Sequence, residues 1–300
     1  MSTASSDFKS GYIAIVGRPN VGKSTLLNAL VGQKISITTH KPQTTRHKIL
    51  GIKTAEHYQM IFVDTPGFHL VETRAINRYM NRAALSALHD VDVVLFVVEA
   101  GRWKAEDQSL LEKVAGSRVP VIALVNKVDK VSDKKELLPY MAQLAGRFEF
   151  HSLLPVSARN REGLDRLEKM VGDCLPQAPA YFDAEQVTDK SQRFLAAEII
   201  REKLFLALQQ ELPYSLTVEI ESFSEEPQIN NISAVIWVEK NSHKGMVIGK
   251  QGAGLKSVGQ SARKAMENLF EKKVFLQLWV KVKSDWSDDE RALRSLGYQE

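Results

Sequence analysis

The stretch YIAIVGRPNVGKST, residues 12–25, constrains the chain more tightly than any other. Five apolar residues run into a turn bracketed by Gly17 and Gly22, and Lys23, Ser24 and Thr25 open a segment of helical periodicity, STLLNALV. The pattern G-x-x-x-x-G-K-[ST], between a strand and a helix, is that of a loop whose backbone N–H groups curl around phosphate. Here Arg18, Pro19, Asn20 and Val21 fill the curl. Lys23 is placed to reach terminal phosphates, and the Ser24 hydroxyl to ligate magnesium. Such a loop works only between a strand end and a helix start, which commits this part of the chain to an α/β arrangement.

The sequence around it agrees. The apolar runs MIFVD, VVLFVV, VIALVN and LLPVSA follow, separated by helical patterns such as AINRYMNRAALSAL. Strands alternating with helices predict a mostly parallel sheet covered on both faces, with ligands beyond the carboxyl ends of the strands. Three further motifs fall at those ends. In DTPG, Asp64 is placed to hold the magnesium shell, Thr65 and Pro66 complete the motif, and the Gly67 N–H is placed to sense the terminal phosphate. In NKVD, the Asp129 carboxylate suits the paired donors of guanine, which adenine lacks. Leaving such partners unpaired discriminates strongly. Asn126 would brace the loops and Lys127 would lie along the base. In VSA, residues 156–158, Ser157 precedes Ala158, whose N–H suits the guanine oxygen. In this order and spacing the four motifs resemble the translation-factor-like class of GTP-binding proteins. That resemblance implies GTP or GDP as ligand, with Mg2+, over a domain spanning residues 8–175.

Residues 33–48, QKISITTHKPQTTRHK, are too long and polar for a simple connection. A threonine there would close onto magnesium and the terminal phosphate, and let go when that phosphate leaves. Thr44 and Thr45 both qualify, and resemblance to GTPases with a T-T-R motif favours Thr45. The residue after D-x-x-G is Phe68, where many such GTPases carry a glutamine that orients the attacking water. A phenyl ring cannot do this, and His69 reads as a surface histidine, so slow intrinsic turnover is expected. Asn20 has two readings of equal weight. It braces the loop, or, as in related GTPases with G-x-x-N-x-G-K-[ST], it helps bind K+ near the phosphates. Lys23, Asn20, Thr45 and Gly67 are the catalytic candidates.

Pro176 and Pro179, in a run of small and polar residues, predict a linker at 176–190. A second, smaller domain follows at 191–284, with a tail at 285–300. Its periodicities read helix, strand, strand, helix, loop, helix, strand. Residues 240–283 carry ten basic and two acidic side chains, between acidic flanks. The loop in this basic block is GKQG. The order and the G-x-x-G resemble a type II KH domain, an α+β fold. That implies a backbone clamp on single-stranded nucleic acid by Gly249, Lys250, Gln251 and Gly252. Lys244 and Lys256 would add charge, and Val247 and Ile248 would floor the bases.

A P-loop GTPase joined to a KH domain resembles the Era family of bacterial ribosome-assembly GTPases. GRPNVGKSTLLN, QTTRHKI, DTPGFH, NKVD, SQRFLAAEIIREKL, LPYSLTVEIE, MVIGKQG and LWVKVKSDWSDDERALRSLGY carry the resemblance across nearly the whole chain. It implies a GTP-driven switch that binds the 3′ region of small-subunit ribosomal RNA and assists maturation of the pre-30S particle, with DNA not expected as a partner. It also implies peripheral association with the inner membrane, seen in some members. Two other classes stand beside it: a constitutive RNA-binding module with a structural nucleotide domain, and a membrane-associated signalling or cell-cycle GTPase. The single cysteine, Cys174, reads as a small buried residue suited to a reducing compartment. With no apolar run long enough to span a bilayer, a cytoplasmic location is expected. The acidic tail DWSDDE either competes for the basic face or is a solvated strand of chain with Trp286 and Leu293 docked on the domain.

Overall fold

The computed structural model describes residues 7–68, 70, 74–209 and 212–298; His69 lies outside them. The chain divides into two compact units. The first holds the described residues through Ser36, those from Thr45 to 70, and Met80–Asp189. The second holds Ile37–Thr44, residues 74–79 and the described residues from Lys190 onward.

In the first unit the order is β1 (Lys9–Val16), α1 (Lys23–Val31), β2 (Ile49–Thr54), β3 (Tyr58–Asp64), α2 (Ala75–Ser86, its first turns counted in the second unit), β4 (Val93–Glu99), α3 (Ala105–Val114), β5 (Val121–Asn126), α4 (Leu137–Ala145), β6 (Ser152–Val156) and α5 (Leu164–Cys174). The sheet order is β2-β3-β1-β4-β5-β6. Every pairing is parallel except β2 with β3. All six residues of β5, and all of β4 except Glu99, are buried. That is why these strands read as continuous apolar runs: helices cover both faces, so neither side chain row meets water. Strand β2 is the exception to the sequence reading, which had no strand there. Its sequence, ILGIKT, is short and half polar, as suits an antiparallel edge.

The stretch expected as a linker is largely a strap on this unit. The Ala178 N–H donates to Phe8 O (3.1 Å) and the Ile52 N–H to Val187 O (2.9 Å). The fully buried Gln59 reads the strap through its amide. Its oxygen accepts from the N–H groups of Tyr181 (2.7 Å) and Phe182 (3.0 Å), and its NH2 donates to Phe182 O (2.8 Å).

The second unit runs α6 (Gln192–Ala207), β7 (Leu216–Glu225), β8 (Ile229–Val238), α7 (Asn241–Ile248), α8 (Ala253–Phe270), β9 (Lys273–Val282) and α9 (Glu290–Ser295). The sheet is β7-β8-β9, antiparallel then parallel. The parallel β8–β9 pair requires a crossover, and α7 and α8 supply it. Residues of α6 and α8, among them Ile200, Leu204, Phe205, Ala262 and Met266, close a core over one face of the sheet. The tail after β9 belongs to this unit. Trp286, Leu293 and Tyr298 are buried, and Trp286 Nε1–H donates to Ser215 O at 3.1 Å. Of the two readings of the tail, the structure has the docked one, with Asp285, Asp288, Asp289 and Glu290 exposed. Among the described residues no helix is long and apolar enough to cross a membrane.

Candidate functional site

The four nucleotide motifs converge at the carboxyl ends of β1, β3, β5 and β6, as a parallel sheet demands. Gly22 takes φ +104°, and a Cβ there would stand 2.4 Å from Asn126 Nδ2. Glycine therefore serves twice at this position, for the left-handed turn and for the close approach of the guanine loop. Asn126 uses that closeness. Its Nδ2 donates to Val21 O (2.8 Å), and its Oδ1 accepts from the Ala158 N–H (3.0 Å). One side chain thus ties the phosphate loop to both base-reading loops. Ser157 Oγ donates to Asp129 Oδ1 at 2.6 Å, which steadies the carboxylate.

Lys23 is buried, its Nζ donating to Gly17 O (2.9 Å) and Arg18 O (3.0 Å). Burial lowers its ammonium to about 8, against the pull of Asp64. Gly67 packs on the loop, where a Cβ would stand 2.7 Å from Pro19 Cα. Thr65 Oγ1 donates to Ile15 O (2.8 Å), pinning the D-x-x-G turn to β1. Asn20 is exposed in a left-handed conformation, φ +63°, which asparagine tolerates better than most residues. Phe68 is buried among Val98, Leu110 and neighbouring core residues, so its ring is spent on packing.

The three candidate magnesium ligands meet. Ser24 Oγ lies 2.7 Å from both Thr45 Oγ1 and Asp64 Oδ2. Thr44 instead pairs with Thr39 Oγ1 (2.6 Å) and Lys41 O (2.7 Å). Ser36, which sequence reasoning did not single out, donates to Asp64 Oδ2 at 2.8 Å. The other carboxylate oxygen, Asp64 Oδ1, is buried with no hydrogen-bond partner. Burial raises the Asp64 carboxyl, with the Ser24 hydrogen bond opposing. Two hydroxyls beside a carboxylate with an unused buried oxygen fit a hard divalent cation, which takes oxygen ligands.

A second feature lay outside the motifs. Glu99, at the end of β4, accepts from Arg18 Nη2 through Oε2 (2.9 Å) and pairs with Lys127 Nζ through Oε1 (3.3 Å). Arg18 Nε also donates to the fully buried Asp107 of α3 (3.1 Å). Glu99 therefore joins the phosphate loop to the base-reading loop by a second route. A carboxylate directly after the apolar run VVLFVV was the only signal for it.

In the second unit, α7 ends at Gly249 (φ +73°) and α8 begins after Gly252 (φ +80°). Between them Lys250 and Gln251 are exposed. Nothing lies within 4 Å of a Cβ built at Gly252, so this side of the loop faces open space. Gly254 has a different task. A Cβ there would meet Val247 O at 3.0 Å, so the third glycine lets α8 start against the end of α7. Lys244 and Lys256 are exposed, Val247 is buried and Ile248 packs on the core. The same unit contains the segment 37–44, held by α6. Glu202 Oε1 accepts from the Thr38 N–H (3.1 Å), Lys41 Nζ donates to Phe205 O (2.6 Å) and Leu208 O, and Arg201 donates to Thr44 O.

The comparisons follow the same division. A family profile described as "50S ribosome-binding GTPase" matches residues 12–127, and one described as "KH domain" matches residues 211–287. GTPase Era of Ectopseudomonas mendocina is 55% identical over 288 residues, 96% of each chain. GTPase Era of Coxiella burnetii is 55% identical over 290 residues, 97% of this chain and 98% of the other. Among solved structures, Era in complex with MgGDPNP and nucleotides 1506–1542 of 16S ribosomal RNA superposes with TM-score 0.95 at 36% identity, over 98% of this chain and 100% of that one. A variant of Aquifex aeolicus Era bound to GDP.AlF4- gives the same TM-score, identity and coverage. With more than half its residues shared along nearly its full length, the chain belongs to the GTPase Era family.

Proposed function

We propose that the chain binds GTP with Mg2+, hydrolyses it slowly, and uses nucleotide state to set how tightly its second unit holds the 3′ region of small-subunit ribosomal RNA during maturation of the pre-30S particle. The observation that carries the switch is the boundary between units at Thr44 and Thr45. The Thr45 hydroxyl joins Ser24 and Asp64, while the neighbouring Thr44 carbonyl is held by Arg201 of α6. A ligand that recruits Thr45 therefore acts on a segment whose preceding residues belong to the RNA-binding unit.

In this reading the phosphates lie in the loop of residues 17–25, against its N–H groups and the Lys23 ammonium. Magnesium, when bound, neutralises phosphate charge and would be held by Ser24, Thr45 and Asp64. Asp129, braced by Ser157, accepts from guanine, Ala158 N–H donates to its oxygen, and Lys127 lies along the ring. The Gly67 N–H meets the terminal phosphate. With Phe68 buried, the chain positions water without the usual glutamine, and Asn20 with K+ supplies electrostatic help. Equal hydrolysis rates in sodium and potassium would remove that role.

RNA enters over Gly249–Gly252, whose open side admits a sugar-phosphate backbone, with Lys244, Lys250 and Lys256 as countercharges and Val247 and Ile248 beneath. The 16S fragment held by the Era relative favours the small subunit over the large one named in the GTPase profile. The decisive measurement is binding of single-stranded RNA from the small-subunit 3′ end at one salt concentration, with GTP analogue, with GDP and without nucleotide. Tighter binding with the analogue alone is expected. Equal binding in all three would leave two independent modules. Peripheral contact with the inner membrane is tested by lipid flotation with and without RNA; recovery with lipid only when RNA is absent would favour the membrane-linked reading.

A further inference from the structure

Strand β9 has two faces. Val274, Leu276, Leu278, Val280 and Val282 turn toward the helices and their core. Lys273, Phe275, Gln277, Trp279 and Lys281 turn the other way, and all five are exposed. Phe275 is 51% and Trp279 42% exposed, among the few large apolar side chains left in water. In register, Trp279 lies beside Val235 of β8 and Lys281 beside Trp237. The Trp237 ring has the ammonium groups of Lys281 and Lys283 each 5.8 Å from its centroid.

The charge on this face is sorted by strand. From Lys272 to Ser284 there are four lysines and no acidic residue. The acids lie on the far strand, β7, and two are engaged: Glu219 accepts from Trp237 Nε1 (2.7 Å) and Glu221 pairs with Lys281 (2.8 Å). Phe275 and Trp279, four residues apart on a strand, are about 13 Å apart, far enough for each ring to take its own base. Aromatic rings interleaved with lysines decide the class of partner. Lysine is depleted at protein–protein interfaces, whereas single-stranded nucleic acid is held by stacking platforms set among cations.

We propose that the outer face of β8 and β9 is a second RNA-binding surface, stacking unpaired bases on Phe275 and Trp279 while Lys273, Lys281 and Lys283 meet phosphates. It lies on the opposite side of the sheet from the helices that carry Gly249–Gly252, and takes nucleotides that flank those in the loop. It rests on the reading of this unit as an RNA binder.

The test compares the full-length chain with Phe275→Ser/Trp279→Ser on two single-stranded RNAs from the small-subunit 3′ end. One has about six nucleotides, enough for a loop that clamps four, and the other about twenty. The double variant is expected to bind the short RNA as the parent does and the long one at least about tenfold more weakly. Phe275→Tyr/Trp279→Tyr, which keeps both rings, should restore the long-RNA affinity. Parental affinity of the serine variant for the long RNA overturns the proposal, and so does equal weakening for both lengths. If that variant folds poorly, Lys273→Glu gives the same comparison from an exposed position: selective loss on the long RNA supports the surface, and no loss overturns it. Gly252→Asp separates the two readings. It should abolish short-RNA binding, and if it does not, the loop assignment fails while the length comparison still judges the sheet. A change in sedimentation with unchanged RNA binding would give the face to a protein and overturn the proposal.

Discussion

Two side chains show how far single residues govern this site. Glu99 serves Arg18 and Lys127 from its two oxygens, so it braces the phosphate loop and the guanine loop together. Burial pushes its carboxyl up, but the Arg18 hydrogen bond and the Lys127 charge outweigh that and hold it below its ordinary value. A depressed carboxyl contributes stability that is present above the unfolded value and is lost as pH falls through the folded one. Glu99→Gln should therefore lower the thermal midpoint at neutral pH, and the difference from the parent should be lost as pH falls through the depressed value of the folded carboxyl. A difference that persists in acid would mean Glu99 acts by packing. At neutral pH the same variant should weaken GDP and GTP alike, because it loosens a scaffold both share. Thr45 should behave otherwise. Thr45→Ala is expected to weaken magnesium-dependent binding of GTP analogue by about tenfold or more while sparing GDP, and Thr44→Ala to leave both nucleotides unchanged. Titration with each nucleotide checks the pair, and a larger effect at Thr44 would reverse the assignment. Sequence could narrow the choice to these two threonines. It could not decide between them from chemistry, because a one-residue shift in an irregular loop redirects the hydroxyl and leaves no periodic trace.

Elements were legible where burial imposes a pattern. Strands β4 and β5, wrapped on both faces, wrote themselves as VVLFVV and VIALVN. Strand β2 did not, because an edge strand keeps polar positions, and its Gly51 leaves room for the side-chain ends of Leu27, Val31 and Ile35, which would have to shift to admit a Cβ. The strap at 176–189 was hidden by its own composition. Prolines and small polar residues look alike whether they run free or along a sheet edge, and the contacts that distinguish them, backbone hydrogen bonds and the buried amide of Gln59, come from distant parts of the chain. The junction of α7 and α8, including the first turn of α8, carries three glycines with different physical demands, and substitution should separate them. Gly252→Ala meets only the left-handed backbone, so a cost of about 1 kcal/mol is expected. Gly254→Ala pushes against the Val247 carbonyl, and Gly249→Ala combines a left-handed φ with a Cβ 2.9 Å from Gly254 N. Thermal denaturation should rank Gly249→Ala as most damaging and Gly252→Ala as least. The reverse order would mean the helix junction is not what the glycines protect.

At the scale of the whole molecule, the sequence announced two functions in one chain but not how the chain is partitioned. Motif spacing assigned residues 33–48 to the nucleotide domain, yet Ile37–Thr44 group with the second unit. No periodicity could reveal this, since the segment is held by side chains reaching one helix. Lys41 is the informative one. Its ammonium sits on the carbonyls of Phe205 and Leu208, at the C-terminal end of α6, where a helix leaves carbonyls unsatisfied and its dipole attracts a cation. Both hydrogen bonds of its ammonium stay within the second unit, and Lys41 lies outside the Gly249–Gly252 loop. Lys41→Met keeps most of the stem and removes the charge. If 37–44 links nucleotide state to RNA affinity, this variant should bind GTP analogue near normally in the absence of RNA, and RNA near normally in the absence of nucleotide. The ratio of RNA dissociation constants, GDP over GTP analogue, should fall toward one. By linkage, RNA should lose its effect on analogue affinity by the same factor. A ratio unchanged from the parent would place the coupling elsewhere, and a variant that lost RNA binding in every nucleotide state would show that α6 itself had been damaged.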